Sequence, residues 1–157
     1  MLRVGTSDET DAGRTAIGGN AMSKVKELIR IEADGTLSFG DYELEKKTKL
    51  EDFEYEGNLY KVKTFHELTK LERDGLFVYE SEPGTAVNSL RITKDGMEFT
   101  VSGDEDAQIT VGLSEDTEYD VTVGGRSIGR MKTNLGGKLS FSVELSNEEE
   151  VNVKISL

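Results

Sequence analysis

One histidine, no cysteine and no tryptophan leave this 157-residue chain few ways to do covalent chemistry. His66 has no second imidazole or thiolate with which to hold zinc, and a lone His in a polar segment reads as a surface or hairpin residue. A Ser-His-Asp arrangement through His66 lacks its nucleophile signal, because no Gly-x-Ser-x-Gly turn leads into a helix. Carboxylates are abundant. Asp104-Glu105-Asp106 presents hard oxygens at the spacing of a calcium loop, but the spaced ligands and closing Glu of an EF-hand are missing, so a solvated hairpin tip is the expectation. Glu148-Glu149-Glu150 reads as a charged turn that keeps the last strand soluble. Gly136-Gly137-Lys138 is a turn into a strand, where a phosphate loop would need a helix. No catalytic residue, metal site or cofactor follows from these patterns, and the chain is not expected to be an enzyme.

Two sets of residues remain as binding candidates. Tyr55, Tyr60 and Tyr79 would offer stacking faces to a carbohydrate if their rings lined up in solvent on one sheet. Arg126 and Arg130, with Lys132 and Lys138 on neighbouring hairpins, form the clustered positive charge of an acidic half and suit an anion or an acidic partner.

The elements that must position these groups are strands. Leu139, Phe141, Val143 and Leu145 alternate with polar residues, as do Val151, Val153, Ile155 and Leu157, then Met97, Phe99 and Val101, then Ile109, Val111 and Leu113, and Tyr119, Val121 and Val123. Period two puts one face in a core and the other in water, the pattern of antiparallel sheets. Turn chemistry supplies registers. A three-residue loop Ala33-Asp34-Gly35 sets Ile31 opposite Leu37 and Ile29 opposite Phe39. A two-residue loop Asp95-Gly96 pairs Ile92 with Phe99 and Leu90 with Val101, and Gly124-Gly125 places Val121 opposite Ile128. The loop Glu56-Gly57-Asn58-Leu59 sets Glu54 beside Lys61 and Asp52 beside Lys63. Residues 64–73 read two ways: as a short helix carrying Phe65, Leu68 and Leu71, or as part of a hairpin turning at Asp74-Gly75 with Leu71 facing Val78.

Residues 1–21 show neither period and read as a disordered leader or tag. The one Pro, Pro83, cannot donate to a ladder and stands before Gly84, so a module boundary is expected there. The fold class expected is mainly β: antiparallel hairpins in an N-terminal β module over 22–83, an immunoglobulin-like β-sandwich over 84–157, and at most one short helix. A net charge of −12 repels phosphate and argues against nucleic acid. No apolar run is long enough to cross a bilayer as a helix, so no membrane partner is expected and a cytoplasmic location is.

Several runs carry a family resemblance: Leu28–Tyr42, Tyr60–Phe65, Phe77–Thr85 and Gly129–Phe141. Together they resemble small acidic proteins of clostridial bacteria that are often labelled endosialin or endosialidase, over about residues 22–157. The resemblance implies hydrolysis of a sialic-acid polymer. The residues of this chain argue otherwise: it has no Trp and hence no Ser-x-Asp-x-Gly-x-Thr-Trp box, and no set of Arg residues paired with an activated nucleophile. Tyr119–Gly125 and Gly136–Leu145 are also similar to immunoglobulin-like accessory sandwiches, which bind, space or assemble. The expectation is a non-catalytic β-sandwich acting through protein–protein contacts or self-assembly, with a protein partner or a second copy of itself. A carbohydrate-binding module is the alternative, and a small glycan hydrolase comes third.

Overall fold

The computed structural model describes residues 24–145 and 150–157; the expected leader and the residues Glu148 and Glu149 lie outside them. The described residues form thirteen strands and no helix. A short hairpin of β1 (Ile29–Ile31) and β2 (Leu37–Phe39) precedes a meander of β3 (Thr48–Tyr55), β4 (Asn58–Phe65), β5 (Leu68–Arg73) and β6 (Leu76–Glu82). A second hairpin, β7 (Ala86–Thr93) and β8 (Gly96–Ser102), leads into β9 (Ala107–Gly112). Then come β10 (Glu118–Val123), β11 (Arg126–Lys132), β12 (Lys138–Val143) and β13 (Val151–Ser156).

These strands make two antiparallel sheets, one in the order β1-β2-β7-β8-β13-β10-β11 and the other β12-β9-β6-β5-β4-β3. Alternation explains the layering. On β12, Leu139, Phe141 and Val143 are buried while Lys138, Ser140 and Ser142 are exposed. The inward side chains of both sheets merge into one core that runs in sequence from Ile29 to Ile155. Tyr79 joins the layers: its ring meets Phe39 of β2 edge-on at 5.4 Å and Phe99 of β8 at 5.6 Å.

Pro83 therefore marks a change of sheet and not a boundary between two cores. The chain passes from β6 to β7 through the cis Glu82–Pro83 bond. β2 pairs with β7 and β6 pairs with β9, so each sheet draws strands from both sides of residue 83. The expected division into 22–83 and 84–157 is corrected to one interleaved sandwich. The reason is that neither half alone has two complete faces to pack against each other.

Residues 64–73 are strand, turn and strand. Thr64 stands opposite Thr69 with their hydroxyls 2.8 Å apart, and Leu71 pairs with Tyr79, not Val78. Between these pairings Val78 is bulged, so that two successive residues, Val78 and Tyr79, are both buried. The Ile29–Phe39 and Ile31–Leu37 pairs form as expected. Three other registers differ. The β3–β4 turn is Glu56-Gly57, both at positive φ, which pairs Tyr55 with Asn58 and puts Glu54 opposite Leu59 in place of Lys61. A left-handed Asp52 then breaks the ladder, so it does not face Lys63, which stands opposite Lys49. Gly124-Gly125 does turn β10 into β11, but a bulge follows and Val121 faces Gly129, leaving Ile128 exposed. The β7–β8 turn is Lys94-Asp95, so Ile92 faces Met97 and Val101 faces Val87.

A knot of buried hydroxyls ties the β6–β7 crossover to the meander. The Thr85 hydroxyl lies 2.8 Å from both the Tyr79 and the Ser81 hydroxyls, and its backbone N–H donates to the Thr69 hydroxyl at 3.1 Å. All four side chains are buried. Thr85→Val keeps the shape but strips Tyr79 and Ser81 of a shared partner in a dry site. It is expected to cost about 1–3 kcal/mol, read as a lowered denaturant midpoint at unchanged slope. A silent substitution would show that water reaches these hydroxyls.

Candidate functional site

Tyr55, Tyr60 and Tyr79 do not form a stacking platform. Tyr79 is 1% exposed in the core, and burial pushes its phenol well above the ordinary range, against the pull of hydrogen bonds from Thr85 and Ser81. Tyr60 is 2% exposed, its ring edge-on to Tyr55 at 5.6 Å. Tyr55 is half-buried, and its hydroxyl donates to the Gly35 carbonyl at 2.6 Å. Inward register explains all three: each falls on the core side of its strand, so the rings serve packing before any ligand.

Arg126 and Arg130 lie on the exposed strand β11. Arg130 is engaged by two carboxylates from β10, Glu118 at 3.3 Å and Asp120 at 3.1 Å, which hold its guanidinium even more firmly charged than usual. Lys132 pairs with Asp116 at 3.2 Å, and Lys138, on the other sheet, stands 4.4 Å from the Phe77 ring centroid. The expected positive cluster is thus split between two sheets, and carboxylates compensate two of its four members, Arg130 and Lys132. His66 is exposed at the β4–β5 turn. In the acidic loop, the Asp106 carboxylate accepts the Leu145 N–H at 2.8 Å and ties that loop to the end of β12. Among the described residues no helix is long and apolar enough to cross a membrane.

Two other features stand out. The first is a cleft of about 170 Å³ between the sheets, lined by Tyr55, Glu56, Asn58, Tyr60, Arg73 and residues 90–93. Arg73 stands opposite Tyr60 in the β4–β5 ladder, while Arg91 comes from β7 of the other sheet. Burial raises the Tyr60 phenol above its usual range, and the Arg73 guanidinium beside it works the other way. Burial, then the nearby Glu56 charge, raises Tyr55. No motif points to Arg73 and Arg91; only the packing of one sheet on the other brings them to a common cleft.

The second feature is the set of open sheet edges. Of the four edge strands, β1 has three residues, β3 is broken at Asp52, and β11 carries the bulge before Gly129. Those are ordinary ways of blunting an edge. β12 has none of them: it pairs with β9 from Lys138 to Val143 without a shift. The Leu113 N–H donates to the Gly137 carbonyl at 2.7 Å, which sets the phase of that ladder. Leu139, Phe141 and Val143 bond to β9, and the N–H and C=O groups of Ser140 and Ser142 face outward, while those of Lys138 are both taken by Asn134, its side-chain oxygen at 2.9 Å and its N–H at 3.0 Å. Just before β12 stands Leu135, 80% exposed. Its loop is held by Asn134, whose side-chain oxygen accepts the Gly136 and Lys138 N–H groups at 2.8 and 2.9 Å. Comparison of the chain with family models, with curated proteins and with solved structures finds no match.

Proposed function

We propose that this chain is a non-catalytic β-sandwich that works by protein–protein contact, and that the contact is a strand added to β12. The observation that carries the reading is the regular edge of β12, whose outward backbone groups at Ser140 and Ser142 form a template past the Asn134 contact with Lys138. A second copy of the chain suits that template. Antiparallel pairing of two β12 strands about Ser140 sets Lys138 opposite Ser142, so no like charges meet across the new ladder. The two six-stranded sheets would run into one, with the exposed Leu135 of each copy in the loop just before β12. Such a role, spacing or assembling in the cytoplasm, is that of an immunoglobulin-like accessory sandwich, and it asks nothing of His66 or the carboxylates. The burial of Tyr60 and Tyr79 weighs against the carbohydrate-binding alternative.

Sedimentation equilibrium tests this reading. The parent protein is expected to dimerise, and more strongly as salt rises, because a net charge of −12 on each copy opposes contact until it is screened. Ser140→Pro removes an outward N–H and leaves the β9 ladder intact. It is expected to be monomeric while staying within about 1 kcal/mol of the parent in stability. A parent that is monomeric at every salt concentration, or a Ser140→Pro variant that dimerises as well as the parent, overturns the proposal.

A further inference from the structure

We propose that the cleft between the sheets is a seat for a compact oxyanion, the phosphate, sulfate or carboxylate end of a ligand, held by Arg73 and Arg91 with the Tyr60 hydroxyl as a further donor. The proposal does not rest on the β12 edge. Sheet order puts β12 at the far edge from β3 and β4, whose residues line the cleft.

Charge accounting is the first argument. In a chain of net charge −12, Arg30 and Arg130 are each engaged by two carboxylates. Among the described residues, no ion pair includes Arg73 or Arg91, although both line the same cleft and come from opposite sheets. Of the acidic residues nearby, Glu98 stands opposite Arg91 in the β7–β8 ladder and is exposed to solvent, while two others are engaged elsewhere. Asp34 accepts the Thr36 N–H and hydroxyl, and Asp74 accepts the Leu59 N–H. Glu56 also lines the cleft, and it is exposed at the tip of its turn, where solvent screens it. Planar guanidinium groups bind oxyanions through paired N–H donors, and two of them serve one phosphate or carboxylate well.

Size is the second argument. About 170 Å³ is the room of a few water molecules and falls below the usual volume of a pocket that encloses a whole organic ligand. A charged terminus fits, with the rest of the molecule outside. Tyr60 completes the donor set: a phenol is protonated in the neutral range at its ordinary value, and burial only raises it, so it can donate to an anion.

The test is an amide-shift titration of the full chain with sodium phosphate, sodium sulfate and sodium acetate, each at ionic strength held constant with sodium chloride. Saturable shifts confined to residues 55–60, 73–76 and 90–93 are expected. Arg73→Gln is expected to weaken binding about ten-fold or more, and Tyr60→Phe a few-fold. Arg126→Gln, on β11, should leave it unchanged. Preference for phosphate and sulfate would identify a tetrahedral terminus and preference for acetate a carboxylate. If Arg73→Gln lowers the melting temperature, the exposed Arg91→Gln gives the same reading on a folded protein. Absence of saturable shifts with all three salts, or unchanged affinity in both arginine variants, overturns the proposal.

Discussion

Gly96→Ala should destabilise this protein by about 2–6 kcal/mol. A Cβ at Gly96 would stand 1.9 Å from the Ile155 carbonyl oxygen, a backbone atom of β13 that cannot swing aside. The backbone there is also at φ +149, a conformation that L side chains rarely adopt. Strain at such a dihedral and the forced displacement of a packed neighbour each cost about 1–3 kcal/mol. Gly57→Ala is the control. Gly57 has φ +81 in a turn with nothing within 4 Å, so only the dihedral penalty of about 1 kcal/mol applies. Urea titrations of the two variants should separate them clearly. Equal losses would mean that β13 does not lie against Gly96 and that the Gly96–Ser156 register is wrong.

Phe141→Ala should cost about 3–5 kcal/mol, because a buried ring is lost from a core that can collapse only partly around the gap. Ser142, one residue on, points the other way and makes an exposed hydrogen bond to Gln108 at 2.9 Å. Ser142→Ala should stay within about 0.5 kcal/mol of the parent. The contrast is a direct test of which face of β12 is inside. Similar effects at the two positions would reverse the register.

Where strands are regular, the sequence was a good guide. Leu139, Phe141 and Val143, or Phe99 and Val101, alternate with polar residues and are buried as alternation requires. Registers went astray at bulges, as at Val78 and before Gly129, and where a residue other than Gly takes a left-handed conformation. Asp52 and Ser89, both at φ 59, interrupt β3 and β7 with side chains that give no warning of it. Glu56 at φ 51 shortens the β3–β4 turn to two residues, where the glycine pattern suggested a longer loop. Gly96 misled in the opposite sense. It resembles a turn glycine after Asp95, yet its role is to let β13 approach. Tyr79 could not be placed, since Leu76-Phe77-Val78-Tyr79 has no alternation and a bulge buries two neighbours in a row. The cleft was out of reach for a different reason: Arg73 and Arg91 meet only through the stacking of two sheets, and no spacing along the chain encodes that.

The place of β13 bears on how the protein is made. It is the last in sequence of the thirteen described strands, yet it lies between β8 and β10 and supplies the centre of its sheet. Until residues 151–156 are synthesised, that sheet consists of two unjoined pieces, β1-β2-β7-β8 and β10-β11, with the apolar flank of Met97, Phe99 and Val101 uncovered. Closure of that sheet must wait for β13, and until then the nascent chain presents a sticky edge to its neighbours. Loss of β13 to a premature stop codon would therefore yield an aggregating product and not a slightly shorter version of the same sandwich.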